Sequence, residues 1–412
     1  MAITERIDFM GALGVRLAAR LDGPRGKPKG YALFAHCFSC SKDVFAASRI
    51  ASALAERGIA TLRFDFTGLG QSEGEFANTN FSSNVEDLLA AIAWMRRERA
   101  APSLLIGHSL GGAAVLVAAG RAPEVKAVAT IGAPAAAEHV VHQFEDALAD
   151  IETHGEAQVK LAGRPFQVKK QFLEDVRGHN VRDAVAQLKR ALLVLHAPTD
   201  ATVGVQNATE IFAAAKHPKS FVSLDKADHL LTRREDAIYA ANVIAAWAER
   251  YAFAEAPRLE PPAAIAGAAH VRETRQGRYQ AQIRLGDDVF LADEPLSVGG
   301  DDTGPAPFDW LCAGLGACTT MTLRMYAERK GLALDRASVE VRHWKESAAD
   351  HGRDGGPAQI DVFERRITLD GALSSEERQR MLEIAEKCPV HRTLTHGAVV
   401  RSALIEGQLT EK

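Results

Sequence analysis

Apolar residues in the first 250 or so positions form short, nearly continuous runs that alternate with longer amphipathic stretches. The amphipathic stretches have helical spacing, for example at 44–58 and 82–100. A strand that is covered on both faces is apolar throughout, so the runs predict buried strands. They lie at 31–36, 59–66, 103–108, 125–131, 191–196 and 220–224. Repeated alternation of strand and helix predicts an α/β fold, with a mostly parallel sheet and helices on both faces.

Residues 135–188 interrupt this alternation with a charged segment that is rich in helical patterns. Two interpretations are a small lid over a site at the sheet edge and a decorated crossover between two strands. We favour the lid, which would shape the pocket that a substrate enters.

The pattern changes near residue 251. Residues 253–269 contain a proline pair and many small residues, which is the composition of a linker. Strand patterns follow, then one long apolar helix at about 307–330, two more strand patterns and a second helix. We therefore predict an α/β domain over 1–252 and an α+β domain with a long central helix over 270–412.

The second helix of this later domain has clear start and stop signals. Ser374 and Glu377 have the spacing of a capping box, which predicts the first turn. Pro389 is expected to end the helix directly after Cys388, because proline cannot continue the backbone hydrogen bonds. Ile384 shares a helical face with Cys388, so this thiol is expected to point toward a core.

Composition narrows the class of protein. The chain has 412 residues, for which two domains are expected, and its 47% hydrophobic and 25% charged residues are typical of globular proteins. A net charge of -4 argues against a nucleic-acid-binding role. No run approaches the roughly 20 apolar residues of a membrane span, and the N-terminus lacks a secretory core. We expect a cytoplasmic protein without metal or cofactor, whose five cysteines serve catalysis or packing.

A candidate nucleophile follows the third predicted strand. Residues 107–111 form G-x-S-x-G around Ser109, directly after the strand at 103–108 and before a helical run. Strand, turn and helix in this order are the context of a nucleophile elbow, in which glycines permit a sharp turn that exposes the serine hydroxyl. The helix N-terminus also places backbone N–H groups near negative charge that develops during a reaction. Ser109 is therefore predicted to be a catalytic nucleophile.

A serine nucleophile needs a base, and the base needs an acid that orients it. In α/β folds with this elbow they follow in the order serine, acid, histidine. His229 lies after the last predicted strand and before the terminal helix, where the base is expected. Asp200 follows the strand at 191–196 and is the preferred acid. Asp225 and Asp228 are the alternatives, but one follows its strand too closely and the other is adjacent to His229.

These motifs give the first 250 or so residues a resemblance to the α/β-hydrolase superfamily, to which the stretch RFDFTGLGQSEG at 63–74 also conforms. The resemblance implies an ester hydrolase, here expected to act on small acyl esters. Its oxyanion hole is expected to combine the backbone N–H groups of Leu110 and Phe38. The superfamily usually has His-Gly before this position, where the present chain has His36 and Cys37.

Cys37 and Cys40 form a C-x-x-C motif beside the predicted oxyanion hole. One interpretation is a redox-active dithiol, and the other is a pair of small buried residues that pack behind the loop. The surrounding sequence lacks a thioredoxin-like pattern, so we favour packing.

Two further thiols lie on predicted helices of the second domain. Cys318 lies on a largely apolar face of the long helix, so this face is expected in a core; its other members are Leu311, Leu315, Thr322 and Met325. Burial among apolar groups makes a thiol unreactive, and a catalytic role therefore requires a nearby cation. Arg275 and Arg278 are the candidates for this cation, whereas Cys312 points elsewhere and is expected to be a packing residue.

The central helix with its flanking segments, followed by CPVHRTL at 388–394, resembles the OsmC/Ohr family of thiol peroxidases over about residues 270–408. The resemblance implies that Cys318 attacks a hydroperoxide oxygen, becomes a sulfenic acid and condenses with Cys388 to a disulfide. It also implies reduction by a dithiol, often a lipoyl group, and an intertwined homodimer.

Three functions fit these patterns. The first is a bifunctional protein that joins a carboxylesterase to an organic hydroperoxide reductase. In the second, only the hydrolase is catalytic and the OsmC-like domain is a dimerisation module; the motive is Phe308, where the hydroperoxide branch has a glutamate. In the third, Cys318 and Cys388 form a redox sensor that controls access to the hydrolase. The expected partners are small-molecule esters and hydroperoxides, a dithiol reductant and a second copy of the chain, with no nucleic acid and no membrane.

Overall fold

The computed structural model describes residues 3–38, 40–161, 163–253, 260–351 and 358–404. The chain divides into two compact units, Met1–Glu260 and Pro261–Lys412. Residues 254–259 of the predicted linker lie outside the described residues.

The first unit is built on an eight-stranded sheet. Its strands and those of a separate hairpin are β1 (Ile3–Met10), β2 (Arg16–Gly23), β3 (Gly30–Ala35), β4 (Ile59–Phe64), β5 (Leu104–His108), β6 (Ala127–Ile131), β7 (Glu156–Leu161), β8 (Arg164–Lys169), β9 (Ala191–His196) and β10 (Lys219–Ser223). The sheet order is β1-β2-β4-β3-β5-β6-β9-β10, parallel from β4 to β10. All six predicted strands are present, whereas the antiparallel edge hairpin β1–β2 was not predicted, because charged and apolar residues mix along β1.

Helices cover both faces of this sheet. They are α1 (Phe45–Glu56), α2 (Phe81–Glu98), α3 (Leu110–Ala119), α4 (Leu148–His154), α5 (Lys170–Gly178), α6 (Val181–Ala186), α7 (Gln206–Ala214) and α8 (Arg234–Tyr251), with 3-10 segments at Phe76–Asn78 and Ala137–Ala147. Ile50 of α1 and Ile244 of α8 belong to the apolar core on one face. Leu88 of α2 and Val115 of α3 belong to the core on the other face. The predicted α/β class is confirmed.

The connection between β6 and β9 contains the predicted insertion at 135–188. It consists of the longer 3-10 segment, α4, the antiparallel hairpin β7–β8, α5 and α6. Val159, Phe172 and Leu173 from this segment are buried in the same core as α2 and α3. The insertion is thus an integral layer of the first unit and not purely helical, and its action as a lid stays a prediction.

The second unit has an α+β architecture, as predicted. A three-stranded antiparallel sheet precedes a long helix, which is followed by a two-stranded sheet and two shorter helices. The elements are β11 (Ala269–Glu273), β12 (Ala281–Leu285), β13 (Asp288–Ala292), α9 (Pro307–Lys330), β14 (Leu334–Ser347), β15 (Gln359–Gly371), α10 (Ser375–Ala385) and α11 (Pro389–His396).

The core of the second unit is small, and the predicted face of α9 is only partly buried: Leu315 is buried as expected. Leu323 and Ala327 of α9 pack against β14 and α10. Leu311 and Met325, which were expected in the core, are 46% and 69% exposed. The buried stripe of α9 is displaced by one residue from the stripe that contains Cys318, so the partly exposed thiol lies at its border. Sequence periodicity could not separate these neighbouring stripes, because both are largely apolar.

Pro389 begins a helix, and the prediction that it ends one was wrong. The helix α10 already ends at Ala385, and Cys388 is the N-cap residue of α11. Proline is compatible with the first helical position, because its missing N–H has no partner there. The capping box at the start of α10 is confirmed, since Ser374 Oγ accepts a hydrogen bond from the N–H of Glu377.

Candidate active sites

Ser109 occupies the sharp turn between β5 and α3. Its φ of 54° and ψ of -126° lie in a region that side chains rarely adopt, which is typical of a nucleophile elbow. The neighbouring glycines make the turn possible. A Cβ atom on Gly107 would lie 2.4 Å from the carbonyl oxygen of Gly111, and one on Gly111 would lie 2.4 Å from that of His36. The turn therefore packs directly against the loop after β3.

Asp200 and His229 form the hydrogen-bonded pair that the sequence predicted. The distance from His229 Nδ1 to Asp200 Oδ2 is 2.7 Å. Asp200 Oδ1 also accepts hydrogen bonds of 2.9 Å from the N–H groups of Thr202 and Val203. Burial raises the pKa of Asp200, but the hydrogen bonds from His229 and the backbone outweigh it, and the pKa lies below its ordinary value. This carboxylate is thus held ionised and fixed beside the imidazole.

The two alternative acids bind elsewhere. Asp228 accepts hydrogen bonds from the N–H of Leu230 and from Thr232, and so shapes the loop that carries the histidine. Asp225 is in contact with Ser223. Neither carboxylate competes with Asp200 for the imidazole in this arrangement.

The fold brings Ser109, Asp200 and His229 to one edge of the sheet. Ser109 follows β5 and Asp200 follows β9, and the strand between them is β6. The N–H of Ser109 donates to the carbonyl oxygen of Ile131 at the end of β6. A Cβ atom on the next residue, Gly132, would lie 3.2 Å from both Asp200 Oδ2 and His229 Nδ1. Gly132 has a φ of 55°, a conformation that favours glycine, and a side chain at this position would crowd the carboxylate and the imidazole.

His108 is a site residue that sequence reasoning missed. Its Nε2 donates a hydrogen bond of 2.7 Å to the carbonyl oxygen of His229, and the two rings are 5.1 Å apart. Burial, followed by the nearby His229, lowers the pKa of His108 to about 4, so the ring is neutral. His108 fixes the loop of His229 beside the nucleophile turn. The sequence signal was its position inside the G-x-S-x-G motif, adjacent to Ser109.

The predicted oxyanion-hole residues Phe38 and Leu110 line the same small cavity. The cavity is also bounded by His36, Cys37 and Gly111, which places it at the contact between the loop after β3 and the start of α3. This arrangement matches an oxyanion hole made from two backbone segments.

Cys37 and Cys40 are joined by a disulfide bond, contrary to the expectation that they are separate packing residues. The N–H of Cys40 donates to the carbonyl oxygen of Cys37, so the bond closes a tight turn. Cys37 is buried and Cys40 is partly exposed. The sequence pattern allowed the pairing, but the flanking residues gave no reason to choose it.

Buried ion pairs anchor the loop after β3 to the sheet. Lys42 Nζ lies 2.7 Å from Asp65 Oδ2, and both side chains are inaccessible to solvent. Arg63 Nε lies 2.6 Å from Asp22 Oδ2, and Arg63 also donates to the carbonyl oxygen of Lys42. These contacts tie the end of the loop to β2 and β4. The position of Phe38 is thus set by charged residues that are far from it in sequence.

The thiols of the second unit, Cys318 and Cys388, are close enough for each to influence the pKa of the other. Burial raises the pKa of Cys318, and the hydrogen bond to Cys388 raises it further. Burial also raises the pKa of Cys388, but hydrogen bonds from Cys318, from the backbone of His391 and from Thr319 outweigh it, so the pKa lies below its ordinary value. The two thiols are therefore not equivalent.

Arg365 on β15 is the cation that the structure places beside the thiol pair. Its Nη1 donates to Thr319 Oγ1 at 3.1 Å. The expected cations, Arg275 and Arg278, lie around the turn between β11 and β12, where Arg278 covers the ring of Tyr279. Within the described part of one chain, none of the three arginines is among the groups that shift the pKa of the two thiols, and Arg365 is linked to Cys388 through Thr319. Arg365 was missed because nothing in the strand pattern distinguished it from the neighbouring arginine.

The described residues contain neither a cluster of metal ligands nor a helix suited to a membrane. Among them, no group of three or more histidine, cysteine, aspartate and glutamate side chains is arranged to hold a metal ion. In the same part of the chain, no helix has both the length and the apolar character needed to cross a membrane.

Comparison with protein families finds a match in each half of the chain. The model for serine aminopeptidase S33 matches residues 26–166, and the model for OsmC-like protein matches residues 299–403. A curated relative is the mitochondrial palmitoyl-protein thioesterase ABHD10 of Mus musculus, which is 28% identical over 189 residues. That alignment covers 43% of this chain and 62% of the mouse protein, so the chain spans less than two thirds of that relative.

Comparison with solved structures supports the first half in more detail. The esterase domain of a Rhodothermus marinus protein is 53% identical, with a TM-score of 0.52, and the match covers 61% of this chain and 99% of that domain. Alpha/beta hydrolase domain-containing protein 10 from mouse is 22% identical, with a TM-score of 0.51 and coverage of 60% and 99%, and so shows the fold alone. The chain therefore belongs to the α/β hydrolases through its first unit, which is a serine hydrolase of the esterase type, and carries an OsmC-like domain as its second.

Proposed function

We propose that the chain is a bifunctional enzyme, with a carboxylesterase in its first unit and an organic hydroperoxide reductase in its second. The observation that carries the first activity is the 2.7 Å hydrogen bond between His229 and Asp200 beside the strained turn of Ser109. The second activity rests on the contact between Cys318 and Cys388 within an OsmC-like domain.

Ester hydrolysis follows from the geometry of the first site. The Nδ1–H group of His229 donates a hydrogen bond to Asp200, so Nε2 carries the lone pair that accepts the proton of Ser109. The hydroxyl oxygen attacks the ester carbonyl, and the N–H groups of Leu110 and Phe38 stabilise the resulting oxyanion. His229 then protonates the leaving alcohol, and water hydrolyses the acyl-enzyme by the same steps.

Small acyl groups fit this site best. The cavity beside Leu110 is small, and the ring of Phe38 lies 5.4 Å from that of Phe76 and 5.1 Å from that of Phe172. These aromatic side chains narrow the space beside the oxyanion-hole residues, which supports a preference for short acyl chains. We expect kcat/KM for p-nitrophenyl esters to fall as the acyl chain grows from acetyl to palmitoyl, and Phe172→Ala to relax this preference.

A long-chain thioesterase is the competing specificity, because a curated relative is named a palmitoyl-protein thioesterase. A palmitoyl thioester assayed beside the ester series distinguishes the two. Preference for the palmitoyl thioester over the acetyl ester would overturn the proposal of small acyl substrates and leave the Ser109 mechanism intact.

Hydroperoxide reduction would use the second site. Cys318 is partly exposed and Cys388 is buried, so Cys318 is the thiol that a hydroperoxide can reach. Its sulfur attacks the peroxide oxygen, the alcohol leaves, and the sulfenic acid condenses with Cys388 to a disulfide and water. A small dithiol of the lipoyl type would return the pair to the reduced state.

Paired substitutions test the bifunctional proposal. We expect Ser109→Ala to lower kcat for a short ester by about a millionfold and to leave dithiol-dependent hydroperoxide loss unchanged. Cys318→Ser should do the reverse, and Cys312→Ser is the matched control on the same helix. Hydroperoxide loss that survives Cys318→Ser would contradict the second activity, and ester hydrolysis that survives Ser109→Ala would contradict the first.

A role as dimerisation module is the second candidate for the OsmC-like domain. Met321 and Met325 on α9 are 65% and 69% exposed, and the core of this unit is small. Such exposed apolar side chains mark a surface that a second copy of the chain can cover. We expect the double substitution Met321→Lys and Met325→Lys to lower the molar mass measured by light scattering from dimer to monomer. The exposed Arg329→Ala is the control, and an unchanged mass in the lysine variant would exclude this surface.

A further inference from the structure

Two donors converge on one carbonyl oxygen in the loop after β3. The carbonyl oxygen of Cys37 lies 2.7 Å from His36 Nδ1, and it also accepts a hydrogen bond of 3.1 Å from the N–H of Cys40. A carbonyl oxygen can only accept, so Nδ1 of His36 carries the hydrogen and is the donor. The direction of this carbonyl group is therefore fixed from within the loop.

This carbonyl group belongs to the same peptide unit as the N–H of Phe38. The peptide is planar and trans, so the two groups point in opposite directions. A contact that fixes the Cys37 oxygen therefore also fixes the direction of the Phe38 N–H. Among the described residues, no backbone oxygen accepts a hydrogen bond from this N–H. Leu110 is the first residue of α3, so its N–H has no partner within the helix either, and both donors are available to a substrate oxygen.

The imidazole of His36 is buried and has few contacts besides this one. The residue is 1% exposed, and its ring lies edge to face with that of Phe66. Burial lowers the pKa of His36 and outweighs the opposite effects of its hydrogen bond to Cys37 and of Asp65, so the ring is neutral. Within the described part of the chain, its Nε2 has no hydrogen-bond partner. The bond to the Cys37 oxygen is thus the one hydrogen bond that the ring makes there.

The disulfide between Cys37 and Cys40 closes the turn that contains Phe38. It keeps the Cα atoms of the two cysteines 5.2 Å apart, and so keeps the N–H of Cys40 near the Cys37 oxygen. Cys37 is buried and Cys40 is partly exposed, so a reagent in solution reaches the bond from the side of Cys40.

We propose that His36 is a positioning residue of the esterase site, which directs the Phe38 N–H toward the oxyanion through the Cys37 oxygen, and that the Cys37–Cys40 disulfide supports the same peptide. This role rests on the proposed esterase mechanism, in which Phe38 is one of the two oxyanion donors. It gives a reason for the cysteine at position 37, where the superfamily usually has glycine. A disulfide there restrains a peptide that glycine would leave more freedom.

Substitutions that move the donor of His36 separate positioning from packing. The amide nitrogen of asparagine lies about where Nδ1 lies, whereas that of glutamine lies about where Nε2 lies. We expect His36→Gln to lower kcat for a short ester about 100-fold with little change in KM, because a misdirected donor costs most in the transition state. His36→Asn should recover most of this loss. Equal kcat values in the two variants would overturn the role of His36.

Inhibition by a short trifluoromethyl ketone gives a second measurement, which does not depend on the fraction of folded protein. The ketone adds to Ser109 and forms a tetrahedral oxyanion, so its Ki should rise in His36→Gln in proportion to the fall in kcat/KM. His179→Gln is the matched control, because this histidine contacts Ser82 and the ring of Phe81, and both quantities should stay unchanged. A wild-type Ki in His36→Gln, together with a lowered kcat, would assign the loss to folding and overturn the proposal.

Reduction tests the contribution of the disulfide. Dithiothreitol attacks the Cys40 sulfur and releases the Cys37 thiol, and its second sulfur then releases the Cys40 thiol, so that the reagent loses two electrons and the protein gains two thiols. We expect kcat to fall less than in His36→Gln, because the bond from His36 remains, and to return on reoxidation. An unchanged kcat, with Cys37 and Cys40 shown to be free by alkylation and mass spectrometry, would remove the disulfide from the proposal.

The double variant Cys37→Ser and Cys40→Ser is the control for this reagent. It lacks the bond, so its kcat should be the same with and without dithiothreitol. A loss of activity on reduction that persists in the double variant would place the effect at other cysteines, such as Cys318 and Cys388, and contradict a role of the disulfide.

Failure of the proposed function has a different signature. Ester hydrolysis that survives Ser109→Ala would contradict the esterase mechanism, whatever the His36 variants show. If Ser109 is required but His36→Gln and His36→Asn are equally active, the esterase stands and this inference is wrong.

Discussion

The two candidate sites of this chain differ in how completely one folded unit encloses them. In the first unit, Ser109, Asp200 and His229 follow parallel strands at one edge of the sheet, and Asp200 and His229 are hydrogen-bonded. In the second, one thiol lies on the long helix α9 and the other directly before α11, beside a core of few residues and a partly exposed helix face. A site at the edge of a parallel sheet is fixed by the sheet itself. A site on a small α+β unit depends more on single side chains such as Arg365.

The charges near the sites show the same difference. Arg63 and Asp22 in the first unit are almost inaccessible to solvent and satisfy each other. The ion pairs on β14 and β15, such as Arg342 with Glu340, are about half exposed. Burial makes a charged contact sensitive to the loss of one partner, whereas solvent screens an exposed pair. Removal of one partner should therefore lower the free energy of unfolding more for a buried pair than for an exposed pair of similar geometry.

After the loss of Ser109 itself, the largest effect is expected at the acid of the first site. Asp200→Asn retains the shape of the side chain but removes the charge that orients His229, so kcat for a short ester should fall by about 10⁴-fold. Asp225→Asn is the control, because Asp225 contacts Ser223 and not the imidazole. The assay is steady-state hydrolysis of the ester by the full chain. Comparable losses in the two variants would mean that Asp200 is not the orienting acid.

The sequence predicted the first site well because its signals are local. The strand before Ser109 and the helix after it are both recognisable, and the chain order of serine, acid and histidine left few alternatives. His108 and Gly132 were missed because their roles depend on contacts across strands. The fold class followed from the alternation of strand and helix, whereas the hairpins β1–β2 and β7–β8 were not predicted.

The second site was less predictable for physical reasons. Helical periodicity gave α9 its correct bounds but not its buried face, because two adjacent stripes of the helix are both apolar. Pro389 was expected to stop a helix, although the same residue is equally suited to start one. The cation beside the thiols is Arg365, some distance in sequence from the expected Arg275 and Arg278. The buried face of α9, the role of Pro389 and the position of the cation each depend on contacts between segments that are distant in sequence.

A smaller but still large effect is expected from the buried ion pair. Arg63→Met would leave Asp22 buried without its cation, and we expect the first unit to lose about 3–5 kcal/mol of its free energy of unfolding. The matched substitution in the second unit is Arg342→Met, whose exposed partner Glu340 remains solvated, so no resolvable change is expected. Urea titration followed by ester hydrolysis reports on the first unit. Equal stability of both variants would remove the distinction between the buried and exposed pairs.

The smallest effect is expected when the pH is lowered. The change in the free energy of unfolding should distinguish a buried histidine from an exposed one. The pKa of His108 is lowered to about 4, from an ordinary value near 6.5, chiefly by burial. A group whose pKa is lower in the folded state binds fewer protons there, so its contribution is complete above pH 6.5 and is lost as the pH falls toward 4. Between pH 8 and pH 5, His108 alone should cost the first unit about 2 kcal/mol of its free energy of unfolding.

The burial of His36 and His196 lowers their pKa values as well, so they add to this loss with the same sign. Pulse proteolysis in urea at both pH values, with the fragments of the first unit identified by mass spectrometry, measures the difference. His108→Gln keeps a donor for the carbonyl oxygen of His229 but cannot be protonated, so its loss in acid should be smaller by that amount. The exposed His142→Gln is the control, and should lose as much as wild type. An equal loss in all three proteins would show that protonation of His108 does not oppose folding.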